Sequence, residues 1–170
     1  VIRTVILEEA AILRDLSCLT YRDTFQGTTS EENLQEHLDT AYALPRLEKE
    51  LQDPEVAYYF YQEGEKLLGY LRLNIGSAQT ESIHDNSMEI ERIYIHPDYK
   101  GRGLGQEFMN FALEQARALG KTAIWLGVWE HNKPALGFYQ KNGFHQVGQH
   151  NFVMGDDVQT DLLYLKELSL

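Results

Sequence analysis

Glu89 and Glu91 stand two residues apart in "SMEIERIYI", and "YKGRGLG", Tyr99 to Gly105, follows after a Pro-Asp pair. At the period of two that a strand imposes, both carboxylates project from one face, where they can take a proton from a nucleophile, directly or through a water, or simply attract a cation. Gly101, Gly103 and Gly105 put three glycines into five positions just ahead of an amphipathic helical pattern. A helix start leaves its first N–H groups unpaired and carries a partial positive charge, so glycines there let an anion reach bare amides. The run Lys100, Gly101, Arg102, Gly103, Leu104, Gly105 therefore reads as a cradle for a pyrophosphate. Lys100 and Arg102 add direct charge to a dipole contribution of about 0.3 to 1 kcal/mol. No Gly-Lys-Ser/Thr follows and the spacing is not G-x-G-x-x-G, so this is neither a P-loop nor a dinucleotide fingerprint.

The elements that must hold these groups form one continuous α/β order, with no repeat or linker. "VIRTVI" reads as a first strand, and "EEAAILRDLSCLTYRDTF" as a helix with Ile12, Leu13, Leu16 and Leu19 at helical spacing. Thr29 lies three residues before Glu32 and reads as the cap of a second helix, while Pro45 opens a third. "VAYYFYQ" and "LLGYLRLNI" form a hairpin around "EGEK", ahead of the strand that carries the two glutamates. The helix after the glycine loop places Leu104, Phe108, Phe111, Ala112, Ala116 and Leu119 on one face, with Gly120 at its C-terminal cap. "TAIWLGVW" is apolar throughout, as a strand buried on both faces should be, and "KPALGFYQKNG" is a short helix. "FHQVG" and "DLLYLKEL" are two closing strands, whose free edge is where a homodimer would form.

With 170 residues, 43% of them hydrophobic, the chain builds one core and reads as a single domain over residues 1–170. No apolar run approaches the roughly 20 residues of a membrane span, and Arg3, Glu8 and Glu9 interrupt any signal-like start, so a soluble, cytoplasmic protein is expected. Cys18 alone makes no internal disulfide and reads as a small core residue. His37, His84, His96, His131, His145 and His150 show no ligand spacing, so no metal is expected. The net charge of −11 repels phosphate backbones and anionic lipid, so neither nucleic acid nor a membrane is an expected partner. It attracts a cationic small molecule, though solubility alone also explains an acidic surface.

"MEIERIYIHPDYKGRGLG" and "GVWEHNKPALGFYQKNGF" together resemble the GNAT superfamily of N-acetyltransferases, whose signature is Arg/Gln-x-x-Gly-x-Gly/Ala after a strand and then an Asn and a Tyr in the next strand-helix unit. Lys100 takes the usual Arg/Gln position. "EIERIYI", "IWLGVWE" and "MGDDVQTDLLYLKEL" are closer still to the PaiA-type bacterial spermidine/spermine N-acetyltransferases. The resemblance covers the chain from the hairpin onward and is weaker over the N-terminal helices. It implies a mixed α/β fold with a twisted sheet of about six to seven strands flanked by helices. It implies acetyl-CoA as co-substrate between two splayed parallel strands, with backbone groups of Ile93, Tyr94 and Ile95 along its pantetheine arm and its pyrophosphate on Lys100 to Gly105. Asn132 would contact the pantetheine or nearby backbone, and Tyr139 would both contact the donor and protonate the departing thiolate.

An amine with a lysine-like pKa is about 3.4 units from its nucleophilic form at pH 7, a cost on the order of 4.6 kcal/mol, so a proton acceptor is needed. Glu91, nearer the acetyl end, is preferred and Glu89 stays open, with a backbone N–H around Ile93 for the developing oxyanion. Tyr21, Asp23, Glu31 and Glu32 mark where an acceptor site would lie. A polyamine is the expected acceptor. The alternatives are another amine, such as a peptide N-terminus or an aminoglycoside, and a non-catalytic acyl-CoA-binding regulatory module.

Overall fold

The computed structural model describes residues 1–169. In chain order the elements are β1 (Ile2–Thr4), α1 (Ala10–Phe25), α2 (Glu31–Ala41), α3 (Leu44–Leu51), β2 (Val56–Glu63), β3 (Lys66–Ile75), β4 (Ser87–Ile95), α4 (Leu104–Ala118), β5 (Ala123–Trp129), α5 (Lys133–Lys141), β6 (His145–Met154) and β7 (Asp157–Glu167). The strands make one seven-stranded sheet in the order β1-β2-β3-β4-β5-β7-β6. Every neighbouring pair is antiparallel except β4 and β5, which run parallel and are joined through α4. This is the mixed α/β architecture expected of the sequence.

Alternation along the strands divides the core into two layers. On one face α1, α2 and α3 bury Leu13, Leu16, Leu34, Leu38 and Leu47 against Tyr58, Phe60 and Tyr70. On the other, Phe108, Met109, Ala112 and Ala116 of α4 and Tyr139 of α5 pack on Leu71, Met88, Ile90 and Ile124. No helix among the described residues is long and apolar enough to cross a membrane.

Four local expectations are corrected. Ile12 and Leu19 are 48% and 43% exposed, and α1 instead buries Ala10, Leu13, Leu16, Tyr21 and Phe25. The apolar stripe is wide enough to be read one position askew, and only the sheet selects which edge is covered. The cap of α2 is Ser30, whose Oγ accepts from Asn33 N–H at 3.1 Å, rather than Thr29 one residue earlier. On α4, Leu119 lies past the last turn and is 55% exposed, while Met109 and Leu113 are buried. The closing strands are longer than their apolar patterns, because the β6–β7 pairing runs on through polar residues to Met154 and Asp157.

Candidate active site

β4 pairs with β5 only from Ser87 to Ile90, against Ala123 to Leu126, and the two strands then separate. The cause lies on the other edge of β4. Its register against β3 slips between Arg72↔Arg92 and Leu73↔Ile90, leaving Glu91 as an extra residue, and such a bulge bends its strand. The period-two reading therefore holds for Glu89 and Glu91, which both accept from Asn74 Nδ2, at 3.0 and 2.9 Å. It fails one residue later, because the bulge also brings Arg92 onto this face, where its Nη1 donates to Tyr58 Oη at 3.1 Å.

Beyond the bulge, His96 N–H donates to Leu68 O at 2.8 Å. By antiparallel alternation Tyr94 also turns its backbone towards β3, and Ile93 and Ile95 turn theirs into the gap. Of the three residues expected along a pantetheine arm, Ile93 and Ile95 thus present free edges. Tyr94 does not, although it lines the cavity, and its ring stacks on Tyr70 at 5.7 Å.

A cavity of about 480 Å³ fills the gap, lined by Glu91, Ile93 and Tyr94 from β4, Gly127 to Trp129 from β5, Asn132 just before α5, Tyr139 from α5, and Asp161 from β7. Tyr21, His37 and Arg46 close it from the helical side. Tyr139 is 7% exposed, and its hydroxyl has no hydrogen-bond partner among the described residues. Burial pushes this phenol above its ordinary value, so it stays protonated at neutral pH as a donor facing the cavity. Asn132 caps α5, its Oδ1 accepting from Ala135 N–H at 3.3 Å.

The two glutamates part company here. Glu91 is held by Arg72 Nε at 3.4 Å and Arg92 Nε at 3.2 Å. Burial opposes its charge, but the guanidiniums of Arg92 and Arg72 and the Asn74 amide outweigh burial and hold the carboxyl below its ordinary value. Glu91 is therefore held as an anion in the cavity wall, a weaker base than an ordinary carboxylate, which counts against the preferred reading of Glu91 as the proton acceptor. Glu89 is 3% exposed and spends both oxygens on Thr80, which donates its N–H at 2.8 Å and its Oγ1 at 2.7 Å. Burial raises its pKa, yet it does not reach the cavity, where Thr80 stands instead. The structure thus corrects the reading of Glu89 as an open base: it ties the segment after β3 to the sheet.

The glycine loop lies at the same end of β4. Gly101 and Gly103 take φ of +82° and +76°, in the left-handed region that glycine tolerates. Gly103 is the N-cap of α4, no side chain caps it, and nothing lies within 4 Å of a Cβ built there. No side chain therefore accepts from the amides at this helix start, and a side chain's worth of space is open beside it. Lys100 Nζ is paired with Asp23 at 2.6 Å and Arg102 with Glu63 at 2.9 Å. Neither Ile95 nor the loop lines the cavity, so cradle and cavity are two adjoining parts.

Of the residues marked for an acceptor site, Tyr21 stacks on His37 at 4.5 Å and lines the cavity. Asp23, Glu31 and Glu32 do not line it. Sequence reasoning missed His37, Arg46, Arg92 and Asp161, which reach the site from four separate elements. Only Asp161, an acid within the apolar pattern of "DLLYLKEL", left a signal that could have been followed.

A splayed parallel pair, an uncapped glycine-rich helix start at its tip and a buried phenol beside it define an acyl-CoA-dependent N-acetyltransferase. The sequence model of the acetyltransferase (GNAT) family matches residues 14–144, and the chain belongs to that family. It is 40% identical over 149 residues, 88% of this chain and 86% of the other, to an uncharacterized N-acetyltransferase from the pepI 3' region of Lactobacillus delbrueckii subsp. lactis. It is 27% identical over 108 residues, 60% of this chain and 70% of the other, to the spermine/spermidine N(1)-acetyltransferase of Bacillus subtilis (strain 168). The PaiA N-acetyltransferase of Thermoplasma acidophilum, solved with coenzyme A, shares the fold with a TM-score of 0.80 at 22% identity, covering 99% of this chain and 98% of the other.

Proposed function

We propose that the protein transfers an acetyl group from acetyl-CoA to a primary amine of a polyamine such as spermidine. The observation that carries this reading is the placing of two carboxylates, Glu91 and Asp161, in one cavity with the unpartnered Tyr139 hydroxyl. The donor fits the elements beside it: free strand edges at Ile93 and Ile95 for a pantetheine arm, and bare amides from Gly103 onward for a pyrophosphate. When bound, acetyl-CoA supplies an activated acyl group and a thiolate leaving group. Glu91 holds the incoming ammonium by charge, the outward N–H of Ile93 offsets charge growing on the carbonyl oxygen, and Tyr139 gives its proton to the leaving sulfur. Asp161, Glu91 and a net charge of −11 favour a cationic acceptor, while Arg46 and Arg92 in the same lining act against it.

Arg46 favours a second reading, because its guanidinium at the same cavity would hold the carboxylate of an amino-acid acceptor. Thiol release from acetyl-CoA, measured with spermidine, spermine, a monoamine of similar length, amino acids and a peptide, separates the two. The polyamine reading expects the highest kcat/KM with spermidine or spermine; a preference for amino acids or for the peptide N-terminus would replace it.

A further inference from the structure

Gly127 is the first residue of β5 beyond its pairing with β4, so it marks the apex of the gap. It has no side chain, and the Asp161 carboxylate of β7 occupies the space above it: a Cβ on Gly127 would lie 3.4 Å from Asp161 Oδ2 and 3.7 Å from His150 Cε1. Register places Asp161 beside Trp129 on one side and His150 of β6 on the other, on the sheet face that carries Glu91. His150 Nε2 meets Asp161 Oδ2 at 3.2 Å, and its Nδ1 meets Glu81 Oε2 in the segment between β3 and β4. The three are strung in a line through the two nitrogens of the ring, and no group among the described residues has the convergence a metal needs. Side-chain exposure is 22% at Asp161, 28% at His150 and 34% at Glu81, so the line runs from the cavity wall towards solvent.

We infer that Asp161 accepts the proton of the acceptor ammonium and that His150 and Glu81 pass it to solvent. The inference rests on the amine reading above and supplies the base that Glu89 and Glu91 do not. Asp161 Oδ takes the proton as the ammonium N–H bond breaks, leaving the nitrogen lone pair free for the acyl carbon. His150 takes that proton on Nε2 in its neutral form, with Nδ1–H on Glu81, a form that the two flanking carboxylates disfavour by raising the ring's pKa. The imidazolium then releases its Nδ1 proton through Glu81 to water, and the ring regains its starting tautomer by exchange with solvent. One proton leaves the ammonium and one reaches water. The charged or titratable groups that act on this line are its own members, with Tyr21 across the cavity raised in part by the Asp161 charge. Burial raises Asp161 above its ordinary value despite the His150 hydrogen bond, whereas the paired arginines lower Glu91. Asp161 is the better proton acceptor of the two.

The test uses two acceptors of equal length: an alkylamine with an ordinary ammonium, and a fluorinated analogue that is mostly neutral at pH 7 and needs no base. Asp161→Asn should lower kcat at saturating alkylamine by about 10²-fold or more, where a carboxylate that only holds the ammonium would raise KM instead, and leave kcat for the analogue within a few-fold. Its remaining activity on the alkylamine should keep rising with pH towards the ammonium's own pKa, near about 10.4. His150→Gln and Glu81→Gln act through Asp161 and should show the same selective loss at roughly a tenth of that size. An equal loss on both amines, or an unmoved pH profile, would make Asp161 a packing or binding residue and overturn the relay. Should Asp161→Asn not fold, His150→Gln decides in its place: a loss confined to the alkylamine supports the relay, and an equal loss on both amines overturns it. A wild-type protein that acetylates neither amine, nor spermidine, would overturn the amine reading beneath it, and that result appears before any variant is made.

Discussion

The donor half and the acceptor half of the active site are built on different principles. The donor half is mostly backbone: free edges at Ile93 and Ile95, two left-handed glycines and an uncapped helix start, nearly all from one run of chain between Ile93 and Gly105. The cavity proposed for the acceptor is side chains: Glu91, Arg92, Asp161, His37 and Arg46 meet from β4, β7, α2 and α3. Backbone recognition depends on local conformation and tolerates change in most side chains. Side-chain recognition depends on tertiary placement, so each substitution there also disturbs its neighbours. The contrast predicts that lesions in the acceptor half cost stability first, and lesions in the donor half cost donor affinity first.

The largest effect is expected at the Glu91 anchor. Arg72 and Arg92 are 6% and 9% exposed, and Glu91 is an anion they share. Glu91→Ala leaves Arg92 without its carboxylate while Arg72 keeps Glu50 at 2.9 Å, so unfolding stability should fall by about 3 kcal/mol, read from denaturant titration. The sign with pH follows from its lowered pKa. The stabilising contribution is present above its unfolded value near 4.5 and is lost as pH falls through the lower folded value. The gap in stability between wild type and Glu91→Gln should therefore close only in acid below that point; a gap that closes at neutral pH would remove Glu91 from the role of fixed anion.

In the donor half, Gly103→Val meets open space but must adopt φ +76°, so it should cost about 1–3 kcal/mol of stability while the fold survives. The acetyl-CoA KM should rise roughly tenfold or more, equivalent to about 1.4 kcal/mol, because the amides no longer face the donor in the same way. If the folded variant binds coenzyme A as tightly as wild type, the loop is only a turn. The smallest effect concerns long-range charge. Screening acts over about 8 Å at physiological ionic strength, so added salt should raise the KM for spermidine a few-fold more than that for a monoamine. Equal salt responses would remove the charge argument for a polyamine.

The same contrast explains what could be read before the fold was known. The glycine loop and the bounds of β4 at Ser87 and Ile95 were legible because each is encoded by contiguous residues with a local physical cause. The shared face of Glu89 and Glu91 was legible too, but not that Thr80 seals one and two arginines clamp the other. A bulge leaves the alternating pattern intact in the letters and changes only which side chains follow it, so Arg92 and the inward backbone of Tyr94 were hidden. His150 meets Glu81 across 69 residues and Asp161 across 11, a meeting that depends on β6 pairing with β7 and on the covering segment after β3. The choice between Thr29 and Ser30 as cap is a smaller case, two adjacent hydroxyls separated only by backbone geometry.

The two halves meet at Tyr139, which packs in the donor-side core and points an unpartnered hydroxyl into the acceptor cavity. Steady-state thiol release by Tyr139→Phe, with acetyl-CoA and a saturating polyamine, is therefore the decisive experiment for acetyl transfer at this site. Loss of the proton donor should lower kcat by about 10²-fold or more while the acetyl-CoA KM stays within a few-fold, since the ring keeps its packing. An unchanged kcat would strip Tyr139 of the acid role and pass protonation of the thiolate to another group or to water.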